Sequence, residues 1–184
     1  ADGLDATLDE SLLLVTADHG EALWDHVRVD VERFDASGCV GHGGAPYEGL
    51  ARVPLLTDAD WPLEDGASLV DLAPTLADAV GIDWSAPSGR SLRSTTPGDR
   101  MPLVEGTLEG HEKKAIYDGE YKLVVSRGDG VELGYQLPAE EQTDVPSERR
   151  EAMLEGLPAW PDGQRVGTEV SDVVEDRLEQ LGYR

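Results

Sequence analysis

The 184-residue chain has no asparagine, one cysteine and only three lysines. The single cysteine, Cys39, excludes a disulfide within the chain, and such a residue is more often a small buried apolar side chain than a nucleophile. The absence of asparagine excludes N-glycosylation. No apolar run is long enough to span a membrane, and no N-terminal signal peptide is recognisable. We therefore expect a protein of the cytoplasm.

Acidic residues greatly outnumber basic ones. The 38 Asp and Glu against 15 Lys and Arg give a net charge of −23. Such a surface repels nucleic acids and anionic membranes, so we expect neither as a partner. High charge with few aromatics is also typical of disorder, but the segments 11–17 and 68–80 are too apolar and too regular for that. Because the Debye length falls to about 3 Å in 1 M salt, we interpret the composition as adaptation to a halophilic setting.

Two apolar runs in the first part of the chain predict short strands. The first covers 11–17 and predicts a buried strand, and the second covers 53–57. Between them, residues 20–46 are rich in glycine and polar residues with poor periodicity, which predicts a long loop. The stretch 83–100, rich in Pro, Gly, Ser and Thr, predicts a linker.

Residues 71–80 have the pattern of an amphipathic helix. Asp71 is a natural N-cap, Pro74 is tolerated in the first turn, and Gly81 stands just past the end. Apolar residues recur four positions apart and so share one face. These residues are Leu72, Leu76 and Val80.

The pattern changes after residue 100, where short β-type runs replace the helix. Two glycine-containing turns, Asp118-Gly119 and Gly128-Asp129-Gly130, favour hairpins between these runs. The runs cover 113–117, 120–126 and 131–137. They predict a small antiparallel meander, followed by helices over 147–155 and 171–181.

The apolar run 11–17 ends abruptly at Asp18-His19-Gly20. In open α/β sheets, ligands and metals lie beyond the carboxyl ends of the strands, which is where this pair stands. Asp and neutral His are both good ligands for divalent ions. Neighbouring side chains of a strand point to opposite faces, so both reach one ion only where the strand breaks, and Gly20 permits that break. Taken alone, the pattern fits a capping aspartate beside a surface histidine equally well.

Further blocks follow this one in a characteristic order. The blocks are VTADHGE (15–21), GHGGAPYEGLARVPLL (41–56), SLVDLAPTLADAVGI (68–82), GRSL (89–92), DGEYKLVVS (118–126) and VEDRLEQLGYR (174–184). Together they resemble the C-terminal part of the sulfatase family, within the alkaline-phosphatase-like superfamily of metal-dependent sulfo- and phosphohydrolases. The likeness extends over nearly the whole chain.

The resemblance implies an α/β sandwich with a smaller C-terminal antiparallel β subdomain and a terminal helix. The core carrying half of the metal site would occupy 1–100, and the subdomain would occupy 101–184. By the same resemblance, Asp18 and His19 are ligands of a divalent metal ion. His42 matches the histidine that contacts the sulfuryl or phosphoryl oxygens of an anionic ester substrate.

The resemblance also bears on residues near these positions. The glycines around His42 would let the backbone approach the substrate closely, and Arg52 and Pro54 match positions that look structural. His26 lies where relatives often carry another histidine, although its neighbours do not match, so a solvated loop residue is the alternative. Glu21 is interpreted as a cap, or as an acceptor that touches a ligand rather than the metal.

The remaining charged candidates are interpreted as surface residues. His111 stands beside acidic residues and lysines and is expected on the surface. Contact with an anionic substrate is an alternative for the lysines, but solvated hairpin positions are the preferred interpretation. These lysines are Lys113, Lys114 and Lys122.

Metal identity and the nucleophile stay open. An imidazole ligand suits Zn or Mn better than Ca, whereas relatives with Asp-Asn at this point favour Ca. The family's nucleophile, a Cys, Ser or Thr in a C/S-x-P-x-R element, precedes the Asp-His pair and is not found in this sequence. The stretch Ser85-Ala86-Pro87-Ser88-Gly89-Arg90 has one residue too many and follows the pair, so we interpret it as linker.

Three interpretations compete. The chain is the C-terminal portion of a sulfatase-like hydrolase of sulfate esters, with a phosphodiesterase- or phosphoglycerol-transferase-like member of the superfamily as the alternative. Otherwise it is an inactive truncated remnant, or an acidic binding module that reuses the fold. Because the family's nucleophile segment precedes the Asp-His pair, the resemblance implies an N-terminal half upstream, and the first residue is Ala1 rather than Met. Without it, the strand over 11–17 would expose an edge and apolar faces, which predicts self-association or binding to that half.

Overall fold

The computed structural model of the chain describes residues 12–36, 38, 40–61, 66–84, 88–93, 100–106 and 111–160. Cys39, the predicted helix over 171–181 and part of the predicted linker lie outside these residues. In the described part of the chain, no helix is long and apolar enough to cross a membrane.

The elements of the first part of the chain are short. They are β1 (Leu14–Thr16), β2 (Ala22–Leu23), α1 (Val27–Arg33), β3 (Val40–Gly41), α2 (Glu48–Ala51), β4 (Leu55–Thr57) and α3 (Leu72–Ala79). Antiparallel pairing of β1 with β4 places Val15 opposite Leu56 and confirms both predicted strands. The expectation that β1 is buried is wrong, since Val15 is 50% and Leu56 59% exposed. No described element covers these two side chains.

The predicted loop over 20–46 contains regular structure instead. β2 pairs antiparallel with β3, with Ala22 opposite Gly41, and α1 lies between them. Phe34, which follows α1, is fully buried, and Asp30 within α1 is 2% exposed. A single aromatic anchor and a buried carboxylate hold this helix rather than a regular apolar stripe, which is why periodicity did not reveal it.

The helix predicted over 71–80 is confirmed as α3, but its start is built differently. A turn of 3₁₀ helix at Leu69–Asp71 precedes it. The Asp71 side chain does not cap α3; its carboxylate accepts the Ser68 N–H at 2.9 Å and completes a capping box with that serine. Gly81 follows the helix with a φ of 74°, the left-handed conformation that glycine favours.

The apolar face of α3 points outward. Leu76 is 42% and Val80 68% exposed. The opposite side is buried because residues 88–93 pack against it, where the Leu92 N–H donates to the Thr75 hydroxyl at 2.9 Å. Thr75 and Leu92 are 0% and 3% exposed.

The C-terminal part is an antiparallel sheet with its strands in chain order. The strands are β5 (Leu103–Glu105), β6 (Lys113–Asp118), β7 (Tyr121–Ser126), β8 (Glu132–Gln136) and β9 (Glu141–Gln142), followed by α4 (Ser147–Gly156). The predicted meander and the helix over 147–155 are confirmed. The sheet gains β5 and β9 at its edges, which are too short to be recognised by alternation. Gly119 at the first hairpin has a φ of 58°.

The sheet packs on both faces. On one face, Ile116 and Leu123 meet Met153 of α4. On the other, the β-sheet residues Ala115 and Val124 share a core with Phe34 and Tyr47 of the first part of the chain. The segment from α1 to α2 and the C-terminal sheet therefore share an apolar cluster, whereas Ala22 and Leu50, close to the Asp-His pair, form a separate small one.

The three lysines are buried, which corrects their interpretation as solvated hairpin residues. Lys113, Lys114 and Lys122 are 1%, 2% and 0% exposed. Each ammonium group donates to hydrogen-bond acceptors, and that of Lys114 donates to the Pro158 carbonyl at 2.9 Å. Their methylene chains fill the core while the charged ends are compensated.

Candidate metal and anion site

The Asp-His pair stands where β1 ends and the chain turns across α2. The Gly20 and Glu21 N–H groups donate to the Leu50 and Gly49 carbonyls of α2 at 2.9 and 3.0 Å. A Cβ at Gly20 would lie 1.8 Å from the Gly49 oxygen, so only glycine fits at this contact. The break after His19 thus follows from a close backbone approach, not from a flexible loop.

The pairing of β2 with β3 brings a second segment to the same place. Ala22 lies opposite Gly41, so the residues just outside this pair, Glu21 and His42, stand side by side. Glu21 Oε2 is 3.7 Å from His42 Nδ1. The His42 ring stacks on the His19 ring with centroids 4.2 Å apart and planes inclined by 28°.

His19, Glu21 and His42 form a three-residue cluster, in which one ligand atom from each lies within 4.8 Å of the others. Their side chains are between 40% and 53% exposed, so their rotamers can adjust around a bound ion. The cluster includes Glu21, for which the sequence favours a cap or an acceptor that touches a ligand. Its proximity to His42 depends on the β2–β3 pairing, which the sequence did not reveal.

One hydrogen bond selects a tautomer of the neutral His19 ring. Its Nδ1 lies 2.7 Å from the Gly20 carbonyl oxygen. Because a carbonyl only accepts, the proton of the neutral ring must be on Nδ1, and the Nε2 lone pair is left for a ligand. This arrangement is typical of histidines that bind metals.

Asp18 lies beside the cluster rather than within it. Its side chain is 90% exposed, and Oδ2 lies 3.8 Å from His19 Nε2. Oδ1 accepts the His19 N–H at 3.0 Å. The carboxylate is thus held on the side of the ring that carries the free lone pair. Of the predicted site residues, the structure brings His19 and His42 together and places Asp18 next to them.

The donor chemistry fits a divalent ion. Two imidazoles and carboxylates suit zinc or manganese, whereas calcium prefers an all-oxygen set. Asp18, His19, Glu21 and His42 are the residues that could hold such an ion.

His26 takes part in a different arrangement. Its ring stacks on Tyr47 with centroids 3.7 Å apart, and its Nε2 is 3.5 Å from Glu140 Oε2. The Tyr47 hydroxyl donates to Asp30 at 2.7 Å. Burial, reinforced by Asp30, raises the pKa of Tyr47 far above its usual value, so the hydroxyl stays protonated.

The other candidates lie outside the cluster. His111 is exposed, as expected, beside the Gly128 turn. Residues 85–87 of the serine-rich stretch lie outside the described part of the chain. Arg90, at the end of that stretch, donates its backbone N–H to Asp71 at 3.0 Å.

Comparison with known proteins connects this fold to sulfatases. No family profile and no curated protein matches the chain. The structure of BT4656 in complex with its substrate D-glucosamine-2-N,6-O-disulfate superposes with a TM-score of 0.62 at 16% identity, over 98% of this chain and 37% of that one. A candidate sulfatase from Bacteroides thetaiotaomicron VPI-5482 gives 0.54 at 18% identity, over 92% and 36%. BT1596, a 2-O GAG sulfatase, gives 0.53 at 18% identity over the same shares.

The chain therefore has a sulfatase-like fold, of the mixed α/β kind that the sequence resemblance implied. It spans slightly more than a third of the length of these solved structures.

Proposed function

We propose that this chain is the C-terminal part of a metal-dependent, sulfatase-like hydrolase of sulfate esters. The observation that carries the proposal is the convergence of His19 and His42, with Asp18 beside them, at the end of β1 in a sulfatase-like fold. A decayed remnant has no physical reason to keep two stacked imidazoles and adjacent carboxylates at this point.

Each residue has a proposed role. Asp18 and His19 are metal ligands, and Glu21 is within reach as a further donor from the same chain. His42, on its glycine-rich loop, would donate to the oxygens of the anionic group. The bound ion would supply positive charge that polarises the ester and favours a nucleophile.

The nucleophile would come from a segment outside this sequence. The exposed apolar side chains on β1, β4 and α3, such as Val15, Leu56 and Val80, support this, because they would be covered by further elements of such a fold. The substrate class rests on a neighbour: BT4656 was solved with a sulfated glucosamine. We extend to this chain only the sulfate ester, an anion.

A phosphate diester is the second candidate substrate. The His19 imidazole favours it, because an imidazole ligand suits zinc or manganese, whereas the relatives with Asp-Asn at this point favour calcium. Both substrates are tetrahedral monoanions, but a sulfate monoester has three unesterified oxygens and a phosphate diester has two, so assays on one ester of each kind can separate them.

Metal titration tests the ligand assignment. We expect the full chain to bind Zn²⁺ or Mn²⁺ more tightly than Ca²⁺ in isothermal calorimetry, and His19→Ala and Asp18→Ala to weaken binding at least about tenfold. His111→Ala and Asp60→Ala, which change exposed residues outside the cluster, serve as matched controls and should leave the affinity unchanged. Equal affinity in all five proteins would overturn the assignment.

The mass of the natural protein tests the proposal that the nucleophile comes from an upstream segment. An intact mass well above 19.8 kDa for the protein isolated from its source cells would agree with an upstream half. That half would then be searched for the nucleophile, and the full protein assayed on 4-nitrophenyl sulfate and bis-4-nitrophenyl phosphate. A mass near 19.8 kDa would leave an inactive remnant or a partner-dependent subunit.

A further inference from the structure

Lys122 lies in the middle of the C-terminal sheet and is fully buried, yet it has no catalytic role in the proposal above. Its ammonium group donates to the Pro46 carbonyl at 3.2 Å, to Glu48 at 3.2 Å, and to Glu140. Three donors thus meet three acceptors, and the two carboxylates are themselves only 16% and 8% exposed. A buried charge is tolerated only with such full compensation.

Two of the three acceptors of Lys122 belong to the segment that leads from His42 into α2. Pro46 and Glu48 precede and begin α2, whereas Glu140 is in the β8–β9 connection of the sheet. The Glu140 oxygens also accept the Glu48 N–H at 3.0 and 3.1 Å. Tyr117 on β6 donates to Glu48 Oε1 at 2.9 Å. The sheet therefore holds the start of α2 by side chains from three of its parts.

The end of α2 in turn holds the candidate site. The Gly49 and Leu50 carbonyls accept the Glu21 and Gly20 N–H groups, which follow His19 directly. Hydrogen bonds from Lys122 and Glu140 thus hold Glu48, the backbone of α2 connects Glu48 to Gly49 and Leu50, and the carbonyls of these two residues hold the turn that follows His19. His42 reaches the same cluster through the β2–β3 pairing.

We propose that Lys122 and Glu140 are positioning residues, through which the C-terminal sheet sets the separation of His19, Glu21 and His42. The inference rests on the proposed function in one respect, that the cluster binds an ion. The sheet then has a purpose beyond stability, because it fixes two loops that enter the site from separate strands.

The test uses the full chain with Lys122→Met and Glu140→Gln, which keep side-chain volume. Two quantities are measured: hydrogen exchange of the Gly20 and Glu21 amides by NMR, and Zn²⁺ affinity. We expect exchange at both amides to rise at least about tenfold and Zn²⁺ affinity to fall about tenfold, the lower end of the range for partners of metal ligands. Tyr117→Phe, which removes only one hydroxyl and should fold in any case, is expected to raise exchange at both amides by a smaller factor.

Asp71→Asn is the matched control. Asp71 is as deeply buried as Lys122 and is paired with Arg100, but no described hydrogen bond joins it to α2. It should lower stability and leave exchange at Gly20 and Glu21 unchanged. The inference is overturned if the Lys122 and Glu140 variants lose stability with exchange at these amides unchanged, or if Asp71→Asn raises it equally. If the wild-type chain binds no Zn²⁺, the metal assignment fails, while amide exchange still decides the positioning role.

Discussion

At the scale of single residues, buried hydroxyl groups differ in whether they have a partner. Tyr47 donates to Asp30, whereas the Tyr135 hydroxyl is buried with no hydrogen-bond partner among the described residues. Burial raises the pKa of both tyrosines well above the usual value, so both are neutral at physiological pH. A neutral buried hydroxyl stabilises the fold only if it is hydrogen-bonded.

This difference predicts opposite effects of the same substitution. Tyr47→Phe leaves Asp30 with one donor fewer and is expected to lower the free energy of unfolding by about 1–3 kcal/mol. Tyr135→Phe removes an unpaired hydroxyl and should leave that free energy unchanged or raise it by up to about 1 kcal/mol. Urea unfolding of both variants measures the contrast, and a larger loss for Tyr135→Phe would contradict it.

The lowered pKa of Asp71 predicts that the free energy of unfolding depends on pH. Burial alone would raise the pKa of Asp71, but hydrogen bonds from Arg100 and from the Arg90 and Ser68 backbones hold it below the usual value. A folded-state pKa below the unfolded value of about 3.9 gives stability that is fully present above that pH and lost as the pH falls through the folded pKa. The free energy difference between wild type and Asp71→Asn should therefore be constant above about pH 5 and shrink below about pH 4. A difference that stayed constant to about pH 2 would refute the assignment.

At the scale of elements, the contact between the β1–β2 turn and α2 depends on one glycine. Gly20→Ala would place a methyl group 1.8 Å from the Gly49 oxygen, and backbone must move to relieve it. We expect a loss of about 2 kcal/mol or more and weaker Zn²⁺ binding. Gly49→Ala is the matched control, since its methyl group would meet nothing closer than 3.7 Å and should change stability by less than about 1 kcal/mol. Equal effects of the two substitutions in thermal unfolding would argue against this contact.

The elements also show what a sequence can predict. Strands β6, β7 and β8 lie in short β-type runs that glycine turns separate, so their positions and antiparallel order were predictable. The helix α3 was predictable from its periodicity and from Gly81. By contrast, β2, β3 and α1 were not, because two-residue strands carry no alternation and α1 is held by the single anchor Phe34.

The site was predictable in part for the same reason. The residue types of Asp18, His19 and His42, with their resemblance to a family, named the candidates. Glu21 meets two imidazoles only because of the register of β2 and β3. Lys122 can be buried because two carboxylates far along the chain from it or from each other compensate its charge. Pairings between residues far apart in the chain leave no pattern in the local sequence. The metal roles of Asp18 and His19 stay predictions.

At the scale of the whole molecule, the main feature is the excess of negative charge. The net charge is −23, and because each lysine is buried, the permanently charged cations at the surface of the described residues are arginines. Self-repulsion of this kind opposes the compact state. Salt screens it, and most of the screening is complete near 1 M, where the Debye length is about 3 Å.

We therefore expect KCl to raise the midpoint of thermal unfolding. Raising KCl from about 0.1 M to about 1 M should add about 2 kcal/mol or more, which is about 5 °C for a chain of this size. Sucrose at matched osmolality, which does not screen charge, is the control. If dilute buffer and concentrated salt gave the same midpoint, the interpretation as a salt-adapted protein would be wrong.

Because every lysine is buried, the rate of a reaction at lysine reports unfolding of the chain. A protease that cuts only after lysine finds its sites at positions 113, 114 and 122, all inside β6 and β7. Cleavage then requires the sheet to open, so the rate of digestion reports the population of opened molecules. Amine-reactive dyes and cross-linkers would likewise leave these side chains unmodified in the folded chain and label them once the sheet separates.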